Sequence, residues 1–271
     1  MPVVYWKVFK PLKPMHRYCF IIACLIFPAF AIAQDQYKIY SRYTNDNYII
    51  TIKNHNAGIA QHAVYVADGS LKLGHYVLGT DADWKATLPA NCVIITIAHI
   101  GDWHEKRQRD FIPSDAGGYS DTVFGKAKQF YLFLQNELLP FVNKKLANQS
   151  DRSFVGHSFS ALFCLYASLQ TVKLFDNYFA ISRSIWANYY ELGKIEGRYA
   201  KAQKTLKGKI FLYAGSLEIF NKVLSSTQDY YATLNSRRYA GLTVGYREIR
   251  SANHFSIIKP AIDNILISIS K

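Results

Sequence analysis

The chain reads as an α/β protein with a mostly parallel central sheet and helices on both faces. Three observations predict this. Short apolar, β-branched runs alternate with longer stretches of helical periodicity, the pattern of strands joined by helical crossovers. At 154–166 an apolar run, a Gly-x-Ser-x-Ser turn and an apolar helix follow one another without a break (FVGHSFSALFCLY). Finally, 271 residues, half of them apolar, with no repeat and no Pro/Ser linker, suit one hydrophobic core.

The expected elements run in this order. Tyr48–Lys53, Ala63–Ala67 and Val93–His99 are strands bounded by turn residues. Val123 to Leu146 has helical periodicity, with Phe130, Phe133, Leu134 and Leu138 on one side. Pro140 lies inside that segment and should bend or split it. Then come strand Arg152–Val155, helix Ser160–Leu169, strand Tyr178–Ile181, strand Ile210–Tyr213, helix Phe220–Asn235, strand Thr243–Ile249 and helix Ser256–Ile267. In such sheets ligands bind beyond the carboxyl ends of the strands. Residues that directly follow a strand are therefore the ones to inspect.

Residues 1–33 read as a secretory signal peptide. Lys13, His16 and Arg17 precede the apolar stretch CFIIACLIFPAFAIA at 19–33, which ends Ala31-Ile32-Ala33 before Gln34-Asp35. That stretch is shorter than the roughly 20 apolar residues of a membrane span, and Pro28 interrupts it. A retained N-terminal anchor is the alternative. Met15 is a second possible start, which would make 1–14 an extension. The expected organisation is thus a signal at 1–33 and one domain at 34–271.

The net charge is +13, of which Lys7, Lys10, Lys13 and Arg17 carry four, leaving +9 on residues 34–271. The remaining cations form separate short groups, such as Lys144–Lys145 and Arg237–Arg238. A nucleic-acid footprint would be a basic stripe with interleaved aromatics, and none is visible. Beyond the signal, Cys92 and Cys164 are expected as two buried free thiols. His99, Asp102 and His104 lack metal-ligand spacing, and neither metal nor organic cofactor is expected.

The turn at 156–160 carries the chemistry. A serine hydroxyl is a weak nucleophile unless it is held exposed beside a base. Small residues two before and two after it let strand and helix approach closely enough to do so. Gly156 and Ser160 occupy those places around Ser158. Histidine is the base suited to neutral pH. His157 adjoins Ser158, but its side chain should diverge at such a turn, and His55, His62 and His75 precede the elbow. His254 follows the strand Thr243–Ile249 and lies late in the chain, in a loop at the correct sheet edge. The acid that orients the imidazole should follow the strand between them. Glu218 is the acid in the loop after Ile210–Tyr213, with Asp229 in reserve. Oxyanion donors should be the backbone N–H of Phe159, directly after the serine, and that of Ser70, in the turn that Gly69 permits after Ala63–Ala67.

With these residues in order, the chain resembles the Putative esterase family of the α/β-hydrolases. That group includes enterochelin-type siderophore esterases, S-formylglutathione hydrolases and mycolyltransferases. The resemblance spans roughly 36–270 and rests on VYVADG (64–69), RQRDFIP (107–113), Gly117-Gly118, FYLFLQNELLPFV (130–142), VGHSFSALF, FDNYFAISRSIW (175–186), YAGSLE and NHFS. It implies an α/β-hydrolase fold, a Ser158–His254–Glu218 triad in the family's chain order, and oxyanion donors at Phe159 and Ser70. Arg183, where proline is common in the family, and Trp186 would flank the pocket. Arg107 and Arg109 either neutralise substrate charge or form a structural ion pair with Asp110. Ser160 replaces the usual elbow glycine, a departure that its small size makes tolerable.

The resulting expectation is an exported serine esterase that acts on a small-molecule ester through an acyl-enzyme on Ser158. Siderophore esters are one candidate substrate class. No nucleic-acid partner is expected, and membrane contact only through an uncleaved signal. Two other readings stand beside it: an acyltransferase on the same residues, and an inactive binding protein on the same fold, since fold alone does not establish activity.

Overall fold

The structure is a computed structural model that describes residues 34–54, 62–80, 86–113, 125–146, 149, 151–184 and 189–269. The elements within them are β1 (Gln34–Ser41), β2 (Asp46–Asn54), β3 (His62–Ala67), α1 (Lys72–Leu78), β4 (Cys92–His99) and α2 (Trp103–Phe111). There follow α3 (Ala127–Phe133), α4 (Leu139–Lys145), β5 (Asp151–His157), α5 (Phe159–Ser168), β6 (Asn177–Ile181) and α6 (Tyr189–Ala202). The last are β7 (Thr205–Gly215), α7 (Val223–Arg237), β8 (Ala240–Ile249) and α8 (Ile258–Ile269). The expected signal at 1–33 and the Gly117-Gly118 pair lie outside the described residues.

Among the described residues the strands form one eight-stranded sheet, in the order β1-β2-β4-β3-β5-β6-β7-β8. β1 and β2 pair antiparallel, and β2 runs antiparallel to β4. From β4 to β8 every neighbouring pair is parallel. The carboxyl ends of β3, β5, β6, β7 and β8 therefore all meet at one edge of the sheet.

The alternation of side chains along each strand gives the sheet two buried faces. Tyr65, Ala67, Phe154, Tyr178, Ala180 and Leu212 point to one side, where α3, α5 and α7 cover them through residues such as Phe130, Phe163 and Leu234. Val64, Val66, Val155, Phe179, Ile181 and Tyr213 point to the other, against Leu73 and Val77 of α1 and Ile258, Ile262 and Ile265 of α8. This is the α/β-hydrolase arrangement. Cys92 and Cys164 are both buried and free.

Two differences from the sequence reading have physical causes. β1 was not expected. Its sequence QDQYKIYS is polar and mostly exposed, and what makes it a strand is its ladder with β2. The long helix is not split at Pro140. A π-helical turn, Leu134–Leu138, joins α3 to α4, and the Leu139 N–H reaches back five residues to the Leu134 carbonyl. Proline lacks an N–H and crowds the carbonyl four residues back. The wider turn directly upstream accommodates it without a break.

Candidate active site

β5 ends at His157 and α5 begins at Phe159, which leaves Ser158 alone to make the reversal. Its backbone sits at φ 65°, ψ −118°, a conformation that L residues rarely adopt. Gly156 makes the turn possible, because a Cβ there would lie 2.2 Å from the Ser160 carbonyl oxygen. The neighbouring strands end in the same way. Asp68 after β3 (φ 63°) and Ser182 after β6 (φ 48°) are also left-handed non-glycine residues.

The structure brings Ser158, His254 and Glu218 into one line. Ser158 Oγ is 3.0 Å from His254 Nε2, and His254 Nδ1 is 2.7 Å from Glu218 Oε1. The other carboxylate oxygen, Oε2, accepts from the Ser182 hydroxyl (2.7 Å) and from the Gly215 N–H (2.8 Å). Burial alone would raise the Glu218 pKa. The hydrogen bonds from His254, Ser182 and Gly215 outweigh it and hold the carboxyl below its ordinary value. Glu218 is therefore an acceptor on both oxygens. In the neutral imidazole the His254 proton then sits on Nδ1, and Nε2 is left to accept from the serine.

The loops that carry the acid and the histidine are bonded to each other. Leu217 N–H donates to the Ala252 carbonyl (3.0 Å), and Ser251 N–H donates to Ser216 Oγ (2.9 Å). A Cβ on Gly215 would lie 2.2 Å from the Ala252 oxygen, so glycine is what lets the two loops come this close. His157, buried beside the elbow, donates from Nε2 to the His254 carbonyl at 2.6 Å, with the two rings 4.7 Å apart. Burial, and then the neighbouring His254, push its pKa down to about 3, so it acts as a neutral donor.

Behind the elbow lies a second polar group. Asp68 pairs with Arg107, whose Nη2 is 3.0 Å from Asp68 Oδ2 and 3.3 Å from the His157 carbonyl. The guanidinium also faces the Phe159 ring, 5.3 Å from its centroid. Ser160 Oγ lies 2.6 Å from Asp68 Oδ2 and accepts from the His157 N–H at 2.8 Å. The side chain that departs from the usual elbow glycine is thus built into the support of the turn, beyond being merely small enough to fit.

Other expected site residues fall elsewhere. Of the two arginines considered for a pair with Asp110, Arg109 makes it, and Arg107 pairs instead with Asp68. Arg109 binds Asp110 (2.6 and 2.9 Å) and Asp46 (2.8 Å). Both guanidinium groups are thereby engaged in protein ion pairs. Arg183 does not flank the serine. It is buried, donates to the Ser226 carbonyl of α7 and lies over the Tyr230 ring, 4.7 Å from its centroid. Its chain neighbours Ser182 and Ser184 point the opposite way, so Arg183 turns towards α7. Asp229 is on the exposed side of α7. Trp186 lies outside the described residues. Ser70 is exposed in the turn after β3, beside the strand that delivers Phe159, and its carbonyl oxygen is 3.2 Å from His75 Nε2. A cavity of about 780 Å³ opens between the far end of α5 (Tyr166, Leu169) and α6 (Ile195, Arg198, Tyr199). It is a helix length from the elbow and shares no residue with it.

The sequence reading assigned no role to Ser182, Ser184 or Asp68, and it set His157 aside as a base without seeing its bond to the His254 carbonyl. Ser184 Oγ is 2.8 Å from Ser158 Oγ, and the Ser184 N–H donates to the Ser158 carbonyl at 3.2 Å. The signal was present in the Ser-x-Ser that follows β6, at the same sheet edge as the other loops.

Among the described residues no group of histidine, cysteine and acidic side chains is arranged to hold a metal ion. Comparison with known proteins gives concordant results. The fold is similar to a siderophore hydrolase, EstA, from Aspergillus nidulans (TM-score 0.73, 20% identity, 98% of this chain and 99% of that one). It is similar to the BES protein from Bacillus cereus (TM-score 0.72, 24% identity, 88% and 96%). It is similar also to an IroE-like serine hydrolase from Shewanella oneidensis (TM-score 0.72, 17% identity, 88% and 80%). Among curated proteins no sequence match is found. The sequence profile described as Putative esterase matches residues 41–257, and the chain belongs to that esterase family.

Proposed function

We propose that the protein is an exported serine esterase that hydrolyses small-molecule carboxylic esters through an acyl-enzyme on Ser158. The observation that carries this reading is the continuous line Glu218–His254–Ser158, with spacings of 2.7 and 3.0 Å, across the ends of β7, β8 and β5. Ser158 Oγ attacks the ester carbonyl as its proton passes to His254 Nε2. The imidazolium that forms is stabilised by Glu218, and it returns the proton to the departing alcohol. Water then attacks the acyl carbon with the same histidine as base, and the acid leaves. The backbone N–H groups of Phe159 and Ser70 are the proposed donors to the tetrahedral oxyanion. The likeness to a solved siderophore hydrolase puts siderophore lactones first among substrates to screen, beside short acyl and aromatic esters.

A fluorophosphonate probe tests the mechanism. Labelling at Ser158, lost in His254→Ala, is expected. Ser158→Ala should lower kcat by roughly 10⁴-fold or more with its melting transition retained. Full turnover of p-nitrophenyl acetate by Ser158→Ala would reject the assignment. Export rests on residues 1–33. Mass spectrometry of the protein recovered outside the cytoplasm should give a chain that begins at Gln34, and a membrane-bound chain that keeps 1–33 would instead support an anchor.

A further inference from the structure

With His254 as the neutral base of the proposed mechanism, proton counting sets the direction of the side-chain hydrogen bonds at Ser158. Glu218 only accepts, so His254 Nδ1 donates to it and Nε2 must accept. The hydroxyl at Nε2 is that of Ser158, whose single proton is thereby committed. Ser184 Oγ, 2.8 Å from Ser158 Oγ and wholly buried, is then left as the donor of that contact. The backbone holds it there, since the Ser184 N–H is tied to the Ser158 carbonyl and the Ser182 N–H to Tyr213. The Ser-x-Ser segment after β6 thus sets one hydroxyl on each end of the line, Ser182 on the carboxylate and Ser184 on the nucleophile.

We propose that Ser184 is a further catalytic residue, whose hydroxyl donates to Ser158 Oγ and stabilises the charge that gathers there as the acyl–Oγ bond breaks. This rests on the reading of Ser158 as nucleophile. In deacylation, water adds to the acyl carbon and gives a proton to His254 Nε2. The C–Oγ bond then breaks, its electron pair goes to Oγ, and His254 returns the proton to that oxygen. An ester oxygen is a poor acceptor and a departing alkoxide is a strong one, so the Ser184 bond tightens as the barrier is crossed. In acylation the same oxygen begins electron-rich and loses charge. A donor there gives no advantage, or slightly opposes attack. The two half-reactions should therefore respond differently to loss of Ser184.

The test measures both halves with p-nitrophenyl acetate. Acylation is read from the first release of p-nitrophenolate, and deacylation from decay of the isolated acetyl-enzyme. In Ser184→Ala, deacylation should slow by roughly ten-fold or more, the worth of one hydrogen bond to a charged group. Acylation should stay within about two-fold or rise, and acetyl-enzyme on Ser158 should accumulate under turnover. Equal slowing of both steps would reveal a purely structural role and overturn the proposal, as would no change in either. Ser184→Cys keeps a donor, weaker and on a somewhat larger atom, and should shift the same ratio less. If the alanine variant fails to fold, the cysteine variant decides the matter by the same criterion. Fluorophosphonate labelling of the wild type separates the two ideas. Absence of label at Ser158 removes the nucleophile assignment and this proposal with it. Label at Ser158 with an unchanged ratio of the two rates removes this proposal alone.

Discussion

Two buried carboxylates flank the elbow, each with a basic partner and a serine, and they serve different ends. Behind it, Asp68 holds Arg107 and Ser160. In front, Glu218 holds His254, which holds Ser158. The difference lies in the cation. A guanidinium keeps its proton at any ordinary pH and meets the carboxylate through a rigid fork, so the rear group can brace the turn but cannot exchange protons with the serine beside it. An imidazole changes charge near neutrality and has two distinct nitrogens, so the front group can pass a proton along a line. Similar residue types at similar distances give a strut on one side and, in the proposed mechanism, a proton relay on the other.

The largest effect should come from breaking the relay without removing its shape. Glu218→Gln keeps the volume but offers an amide where the imidazole needs a carboxylate. A kcat loss of roughly 10³–10⁴-fold is expected, with the melting temperature within a few degrees of the wild type. Steady-state kinetics and a thermal melt check both halves of the statement. The strut should respond in the opposite way. Arg107→Met leaves Asp68 buried without its cation, at a cost of about 3–5 kcal/mol, or roughly 10 °C in melting temperature for a domain of this size. The shape of its pH–rate profile should not change. A profile that moves with Arg107→Met would mean that the rear group does take part in proton traffic, and the contrast would fall.

His157 links the two groups and gives a stability effect with a definite sign. Its folded pKa, about 3, is below the ordinary histidine value of 6.5. Between those values the unfolded chain binds a proton and the native one does not, so native stability falls as pH drops below 6.5, until about 3. Between pH 6.5 and 4.5 the loss from this group is on the order of 2–3 kcal/mol. His157→Gln keeps a donor towards the His254 carbonyl and cannot titrate. Its urea midpoint should vary less with pH across that range, and an unchanged slope would place the acid sensitivity elsewhere. The smallest effect belongs to Ser160→Ala, which strips the His157 N–H and Asp68 of a partner. About 1–3 kcal/mol is expected from equilibrium unfolding, with activity per folded molecule nearly kept.

The architecture was legible because strands buried on both faces are written as unbroken apolar runs. HAVYVA and CVIITIAH could hardly be anything else. β1 was not legible, since an exposed edge strand has no apolar signature and is defined by its neighbour. Ser158, Glu218 and His254 could be found because each is the chemically distinctive residue just past a strand. Ser182 and Ser184 also sit just past one, and their Ser-x-Ser spacing marked the segment, but which atoms they touch shows only in partners at 2.7 and 2.8 Å. Arg183 misled for a related reason. Sequence fixes which loop a residue occupies, whereas the alternation of the chain beyond β6 decides which way it turns, and that places Arg183 on α7.

The left-handed backbone at Asp68, Ser158 and Ser182 has a bearing on heat tolerance. Each is an L residue held where glycine would rest at ease, at a cost of about 1–3 kcal/mol apiece. The three stand just past the ends of the adjacent strands β3, β5 and β6. Some resistance to warming has thus been given up along this seam. An engineer who sought a hardier version by relaxing these turns would reach it soonest at the positions where turnover could least spare the side chain.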